Sequence, residues 1–381
     1  MFNWVFYCCT PRTRNKYPVT EGRYAMKKGP GEKLSEPPPQ WKPELNILTF
    51  NIFCRPDVPM SSATEYQEER IELFVEHVLP KYDVVCLQEM FHMPLTSRRL
   101  RFIEQAKSAG FLHAHHTSRS SSFSPTIDGG LLVLSRFPIV KASVLNFTNA
   151  AFADWYASKG VLYCLVQCGP TNSHFIHLFC THLQATYDEE SRKVSEKVRA
   201  DQLSQLADFV VKSVSGVGDT WPIIITGDVN VQCRRSSADG SDSDEYASMM
   251  QILKSGLGFK GEFLRDLARE IDGSSHPVTY GDSHIAQDGS VHPREVSLTD
   301  IDDLKTSSQN CNQSLDKIFW IPSTTQSAII EPLQTRVNEM LIDKATWKVP
   351  KDLPLTHLSD HYGLETRLRV KLNDDLNSTS I

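Results

Sequence analysis

Residues 223–232 read "IIITGDVNVQ". Ile223, Ile224, Ile225 and Thr226 form a β-branched, mostly apolar run of the kind that fills the middle of a sheet. The run stops at Gly227 and then presents Asp228 and Asn230 with one residue between them. On an extended backbone, residues two apart point to the same side. A carboxylate and a carboxamide are therefore expected to leave the end of a buried strand facing one space.

Other runs of strand length lie on either side of this one. "LNILTFNIF" (45–53), "YDVVCLQEM" (82–90), "GGLLVLSRFPIV" (129–140), "KGVLYCLVQCG" (159–169) and "SHFIHLFCTHL" (173–183) precede it. The last three follow one another quickly, as strands of an antiparallel or mixed sheet do. "SLDKIFWIP" (314–322) and "GLETRLRV" (363–370) read as closing strands. Helical spacing appears in "YQEERIELFVEHVLPK" (66–81), in "SRRLRFIEQAKSAG" (97–110), which closes on glycine, and in "SRKVSEKVRADQLSQLADFVVKSV" (191–214). The last is the longest and most plainly amphipathic. Two polar stretches, 233–245 and 271–312, are predicted to be surface loops. No internal repeat and no break within 45–370 suggests a domain boundary. The expected organisation is an N-terminal tether over 1–43, one catalytic domain over 44–371 and a short tail over 372–381.

The 381 residues carry a net charge of −6 and are 40% hydrophobic. That content supports a sizeable core, and the lack of a basic surplus argues against nucleic acid as the main partner. Nine cysteines, an odd number, do not suggest a disulfide framework. Cys86, Cys164 and Cys180 sit inside apolar runs and read as reduced core residues, which points to a reducing, cytoplasmic compartment. Sequons beginning at Asn146, Asn312 and Asn377 leave secretion as the alternative. No stretch is long and apolar enough to cross a membrane. The N-terminus places Phe2, Trp4, Phe6 and Tyr7 beside Cys8 and Cys9, followed by Arg12, Arg14 and Lys16. Aromatics, paired thiols and a basic cluster could form an S-acylated anchor on an anionic membrane surface; the bland reading is a frayed tail. His113, His115 and His116 lack acidic or thiol partners at metal-ligand spacing and read as a solvated loop.

The strand exits carry a coherent set: Asn51, Glu89, His182, Asp228 with Asn230, Asp316, and Asp360 with His361. Each alone has a structural explanation, such as a turn cap or a satisfied core histidine. Together they offer carboxylates for a hard, oxygen-liganding cation, amides to orient a substrate or water, and histidines to move protons. The chain has no G-x-S-x-G elbow, no phosphate-binding G-x-x-x-x-G-K-[ST] loop and no H-E-x-x-H zinc motif. Cation-assisted hydrolysis of a phosphate ester by water uses the parts that are present.

Asn51 in "LTFNIF", Glu89 in "CLQEM", His182 in "CTHLQA", "GDVN", "LDKIF" and "SDH" occur in the order and context of the endonuclease/exonuclease/phosphatase superfamily, which the chain resembles over essentially all of 45–370. The resemblance implies a DNase I-like α/β fold of two packed, mainly antiparallel or mixed β-sheets flanked by helices, a four-layer sandwich. Within the superfamily, "DWYASKGVLYCLVQ" (154–167) resembles the neutral sphingomyelinases, which carry a Ser/Ala-Lys-Gly segment here. In their mammalian membrane-bound type an Asp lies five residues before the Lys, the spacing of Asp154 and Lys159. Inositol phosphatases would show a Trp-Cys-Asp-Arg around Asp316, and "SLDKIFW" lacks the Cys and the Arg. A phosphoinositide or inositol-polyphosphate phosphatase is the second reading, a nuclease the third and a non-enzymatic membrane scaffold the last. Two features depart from the branch: the hydrophobic segments of several animal members are missing, and 271–312 has no evident counterpart.

The resemblance implies Mg²⁺, with Mn²⁺ as a substitute, held by Glu89 with Asn51 close by. It implies His361, oriented by Asp316, as general base. Asp228 and Asn230 would place water and phosphate, and His182 would stabilise the pentavalent state or the leaving alkoxide. Lys159 would pair with phosphate, or with Asp154 in a resting state. Beside them, Phe152 reads as core, while at least one of Trp155 and Tyr156 is expected at the lipid interface. The implied partners are a membrane lipid substrate and an anionic membrane surface, with no nucleic acid and no obligate protein partner.

Overall fold

The computed structural model describes residues 40–55, 66–92, 97–118, 127–171, 174–216, 220–285, 291–294, 312–323, 330–349 and 353–371. The expected N-terminal anchor at Cys8 and Cys9, most of the tether, the tail and much of 271–312 lie outside the described residues.

The strands are β1 (Glu44–Asn51), β2 (Val84–Gln88), β3 (His113–His116), β4 (Leu132–Ser135), β5 (Ile139–Asn146), β6 (Gly160–Gln167), β7 (Phe175–His182), β8 (Ile223–Asp228), β9 (Arg265–Asp266), β10 (Ser283–Ile285), β11 (Val291–Pro293), β12 (Asp316–Ile321), β13 (Ile330–Asn338) and β14 (Gly363–Val370). The α-helices are α1 (Gln67–Leu73), α2 (Arg98–Ser108), α3 (Arg192–Val214) and α4 (Asp244–Gly256). Two six-stranded sheets form, in the orders β13-β14-β1-β2-β4-β3 and β5-β6-β7-β8-β12-β9. A separate hairpin joins β10 to β11. Most neighbours are antiparallel, but β1 with β2 and β7 with β8 are parallel. A helix-bearing crossover joins each of these pairs, through α1 and through α3, as parallel pairing requires.

Alternation along the strands explains the layering. In β8, Ile224 enters the core between the two sheets, whereas Ile223 and Ile225 face the core beneath α3 and α4. In β1, Leu45 and Ile47 enter the inter-sheet core, while Leu48 and Phe50 join Phe74, Phe102 and Leu134 in a third core beneath α1 and α2. Strands covered on both faces need apolar residues at every position, hence the unbroken "PIII" and "VVCL" runs. Truncating Ile225 to alanine would remove buried methyl groups at a cost of about 2–5 kcal/mol. The layers are therefore helix, sheet, sheet, helix, as the family resemblance implies. The six described cysteines are free and buried. No helix of the described residues is long and apolar enough to cross a membrane.

Three expectations are corrected. His113–His116 is not a loop but the edge strand β3, half-buried, with His115 opposite Val133 of β4. Strand-edge pairing overrides the polar composition that suggested solvent. The stretch 233–245 is not wholly surface: Cys233 and Arg234 are buried, and Asp244 already begins α4, capped by the Ser243 hydroxyl accepting from Tyr246 N. Within 271–312, His276 and Thr279 are fully buried.

Candidate active site

The polar strand exits converge where the edges of the two sheets meet. β8 is flanked in its own sheet by β7 and β12, in a register that sets His182 and Asp316 on either side of Asp228. Gly227, at φ 137°, comes just before Asp228. A side chain there would run into the Thr181 carbonyl of β7, so only glycine lets the strands close at this end. The first sheet supplies Asn51 from the end of β1, Glu89 just past β2, and Ser359, Asp360 and His361 from the turn before β14.

The contacts form one network. Asn51 Nδ2 donates to Glu89 Oε1 and to Asp228 Oδ2, both at 3.1 Å, and its Oδ1 accepts from Phe53 N. Asn51 therefore steers two carboxylates toward each other. His361 Nδ1 lies 2.9 Å from Asp316 Oδ2, and its Nε2 is 3.8 Å from Asp228 Oδ2. His182 Nε2 is 3.4 Å from the same Asp228 oxygen. Ser359, whose role the sequence did not reveal, donates to the Asn51 carbonyl at 2.7 Å and accepts from His361 N. It joins the turn to β1. Tyr280, also unanticipated, sets its ring 4.7 Å from that of His361.

Asn230 departs from the expected geometry. The strand ends at Asp228, and Asn230 adopts a left-handed φ of 52°. Its backbone N–H returns to Asp228 Oδ1 at 3.0 Å and its side chain donates to the Leu183 carbonyl at 3.1 Å. Asp228 and Asn230 thus form a turn rather than two side chains projecting in parallel. Lys159 donates to the same Leu183 carbonyl at 2.8 Å and lies 2.9 Å from Asp154 Oδ2. Both partners are buried, and Asp154 also accepts from Ala185 N and from the Tyr187 hydroxyl.

Residues 152–156 form one short helical turn. Phe152, expected in the core, is exposed instead and meets Tyr187 edge-on at 6.3 Å. Tyr156 is 60% exposed and Trp155 half-buried. A helical turn directs Phe152 and Tyr156 outward together, where an extended segment would alternate its residues between two faces.

Burial raises Glu89, and the nearby Asp360 carboxylate adds to the effect. Burial also raises Asp228, with Asp316 adding and His361 opposing. Burial would lower His361, but Asp316 and Asp228 outweigh it and hold the imidazole at about 10. His182 is pushed well below its usual range by burial, Lys159 and His361, so it is neutral.

The donor set fits a divalent cation. Glu89 Oε2 and Asp316 Oδ1 are buried carboxylate oxygens with no hydrogen-bond partner, a costly state that a cation would relieve. Among the described residues, Asp228, Asp316 and His361 also offer ligand atoms within 4.8 Å of one another.

The endonuclease/exonuclease/phosphatase family model matches residues 48–361. A sphingomyelinase of Dictyostelium discoideum is 32% identical over 350 residues, 77% of this chain and 73% of that protein. Sphingomyelinase C of Bacillus cereus is 27% identical over 227 residues, 56% of this chain and 64% of the relative. The crystal structure of sphingomyelinase C from Streptomyces griseocarneus superposes with a TM-score of 0.56 at 20% identity, covering 86% of this chain and 99% of that one. A magnesium-bound beta toxin of Staphylococcus aureus gives 0.57 at 18%, covering 85% and 99%. Two sheets whose polar exits gather acid, amide and imidazole form the site of a hydrolase. The chain belongs to the endonuclease/exonuclease/phosphatase family.

Proposed function

We propose that this chain is a Mg²⁺-dependent phosphodiesterase of the phospholipase C type that hydrolyses sphingomyelin, or a related sphingophospholipid, to ceramide and phosphocholine. The observation that carries the reading is the buried Lys159–Asp154 pair at 2.9 Å beside the Asp316–His361 pair, in a chain whose curated relatives include sphingomyelinases. The spacing of Lys159 and Asp154 favours this branch over a phosphoinositide phosphatase.

Glu89 would hold the cation through its unpartnered oxygen, with Asn51 fixing the other. When bound, the cation supplies positive charge that compensates the clustered carboxylates and the charge developing on phosphate. Asp316 holds the His361 ring so that Nε2 faces the reaction space and takes the proton of the attacking water. Burial opposes protonation of His361, but the Asp316 and Asp228 carboxylates outweigh it and favour the charged imidazole. The base form therefore requires those carboxylates to be compensated first. Asp228 would orient the water, and Asn230, whose side chain donates to the Leu183 carbonyl, would hold the turn that presents Asp228. Neutral His182, with Nδ1 free of partners, is a hydrogen-bonding group for the leaving oxygen. Lys159 contributes positive potential, and the Asp154 carboxylate holds it at rest.

The exposed rings of Phe152, Tyr156 and Tyr187 lie on or against this segment and suit a lipid interface, with half-buried Trp155 in the same turn. An S-acylated Cys8–Cys9 segment with its following basic cluster would keep a cytoplasmic enzyme on an anionic membrane.

The test offers purified protein mixed liposomes of sphingomyelin, phosphatidylcholine and phosphoinositides, with Mg²⁺ or chelator. Ceramide and phosphocholine are expected with Mg²⁺ only. Free phosphate released from phosphoinositides would move the chain to the phosphatase branch.

A further inference from the structure

The stretch that begins at residue 271 has no role in the chemistry above, yet part of it threads between the two halves of the site. His276 is anchored in a buried cluster. Its N–H donates to the Gly240 carbonyl, its Nδ1 lies 3.2 Å from Lys317 Nζ, and its carbonyl accepts from Arg234. Lys317 follows Asp316 in β12 and points to the other side of the strand, where it meets Ser314 at 3.1 Å and Asp266 at 3.5 Å.

Three residues on, Thr279 is fully buried, and its hydroxyl oxygen accepts from both Leu315 N at 2.9 Å and Asp316 N at 3.1 Å. Its own carbonyl accepts from Tyr362 N at 2.7 Å. Tyr280 makes β-bridges to Gln313 on one side and to His361 on the other. One dipeptide thus bonds the backbone entering β12 in one sheet and the backbone leaving His361 toward β14 in the other.

We infer that Thr279 and Tyr280 are positioning residues that hold Asp316 and His361 in register across the two sheets. Asp316 is the first residue of its strand, and its amide is satisfied by the Thr279 hydroxyl. Without that acceptor, two buried amides at the strand entry lose their partner and the entry must shift to find another. His361 sits in a turn, and the Tyr280 ring, tilted 51° against it, closes one side of its rotation. A shift of about 1 Å in either member lengthens the bond that sets the imidazole, a change worth on the order of a hundredfold in rate.

The inference rests on the assignment of Asp316 and His361 to the chemistry. The experiment compares Thr279→Val, Thr279→Ser, Tyr280→Ala and Tyr280→Phe with the wild-type chain, each with Mg²⁺. Rates are measured on sphingomyelin in detergent micelles and on the chromogenic diester bis(p-nitrophenyl) phosphate, with a thermal melt of each variant. Thr279→Val is expected to lower kcat by about ten- to a hundredfold with KM unchanged, and Thr279→Ser to restore most of it. Tyr280→Ala should lower kcat in the same way, and Tyr280→Phe should not.

Wild-type kcat in folded Thr279→Val and Tyr280→Ala would overturn the inference. So would a loss that Thr279→Ser and Tyr280→Phe fail to restore. If Thr279→Val does not fold, the Tyr280 pair decides. Wild-type protein that cleaves the chromogenic diester but not sphingomyelin overturns the substrate assignment, and the inference is then judged on the diester. Protein inert toward both overturns the two together.

Discussion

Asp316 opens a strand of one sheet and His361 precedes the last strand of the other, yet Oδ2 of the first and Nδ1 of the second are 2.9 Å apart. The bond closes the site across the seam between the sheets, so neither sheet alone contains the pair. Removing either member should therefore have nearly the whole effect of removing both. His361→Ala is expected to lower kcat by about a thousandfold, in the range for loss of a general base. The double variant Asp316→Asn/His361→Ala should be little worse. Steady-state kinetics of the two single variants and the double variant check this, and additive losses would count against a shared role.

Glu89 leads to a prediction about metal that does not depend on turnover. Its unpartnered oxygen makes it the first candidate for holding the cation. Mg²⁺ should raise the melting temperature of the wild-type chain, because a ligand of the native state stabilises it by mass action. Glu89→Gln should abolish that rise and increase the Mg²⁺ concentration needed for half-maximal activity. A melting temperature that rises equally in both proteins would place the cation elsewhere.

The Lys159–Asp154 pair, with side chains 5% and 8% exposed, carries a stability prediction. Breaking a buried pair leaves one uncompensated charge, at a cost of about 3–5 kcal/mol. Lys159→Met and Asp154→Asn should each shift the denaturation midpoint strongly. The double variant should recover a large part of the loss, because no lone charge remains. Denaturant titration of the four proteins measures the coupling.

Much of this arrangement was readable from residue order, and the parts that were not share a cause. The β8 strand and its end near Asp228 follow from an unbroken β-branched run and a glycine break, which are local properties. The same holds for α3, whose predicted and observed limits differ by a single residue. His113–His116 could not be read as a strand, because its place is set by pairing with Leu132–Ser135. Strand β13 was missed because Pro332 and a bulge interrupt its pattern next to β14. The Asn230 turn and the outward Phe152 depend on left-handed backbone angles that short motifs do not signal. Thr279 acts on amides 36 and 37 residues away, a relation visible only once the sheets are packed.

Stability should fall with acid because of histidines buried in neutral form. Burial, with Lys317 adding, depresses His276 to about 3, and burial brings His115 to about 4. The unfolded chain takes up these protons near pH 6.5 while the native chain refuses them. Their contribution is fully present above about pH 6.5 and is lost as pH falls toward 4 and below. Denaturation midpoints of the metal-free protein should decline over that window, and His276→Asn should make the decline shallower. An unchanged slope would remove His276 from the account.

The aromatic rim predicts a separation of binding from chemistry. Phe152→Ala with Tyr156→Ala removes two exposed rings that interfacial contact would use. Sedimentation with sphingomyelin liposomes should show weaker binding, while turnover of the soluble chromogenic diester stays at the wild-type level. Loss of both activities together would mean that the rings serve the fold instead.

The most direct test of the central claim follows oxygen. Sphingomyelin hydrolysed in ¹⁸O-labelled water, with Mg²⁺ present, should yield phosphocholine carrying one labelled oxygen and ceramide carrying none, and the His361→Ala chain should form both products about a thousandfold more slowly. That outcome places the attack of water on phosphorus and ties it to the Asp316–His361 pair. Label in ceramide, or full product formation without His361, would contradict the account.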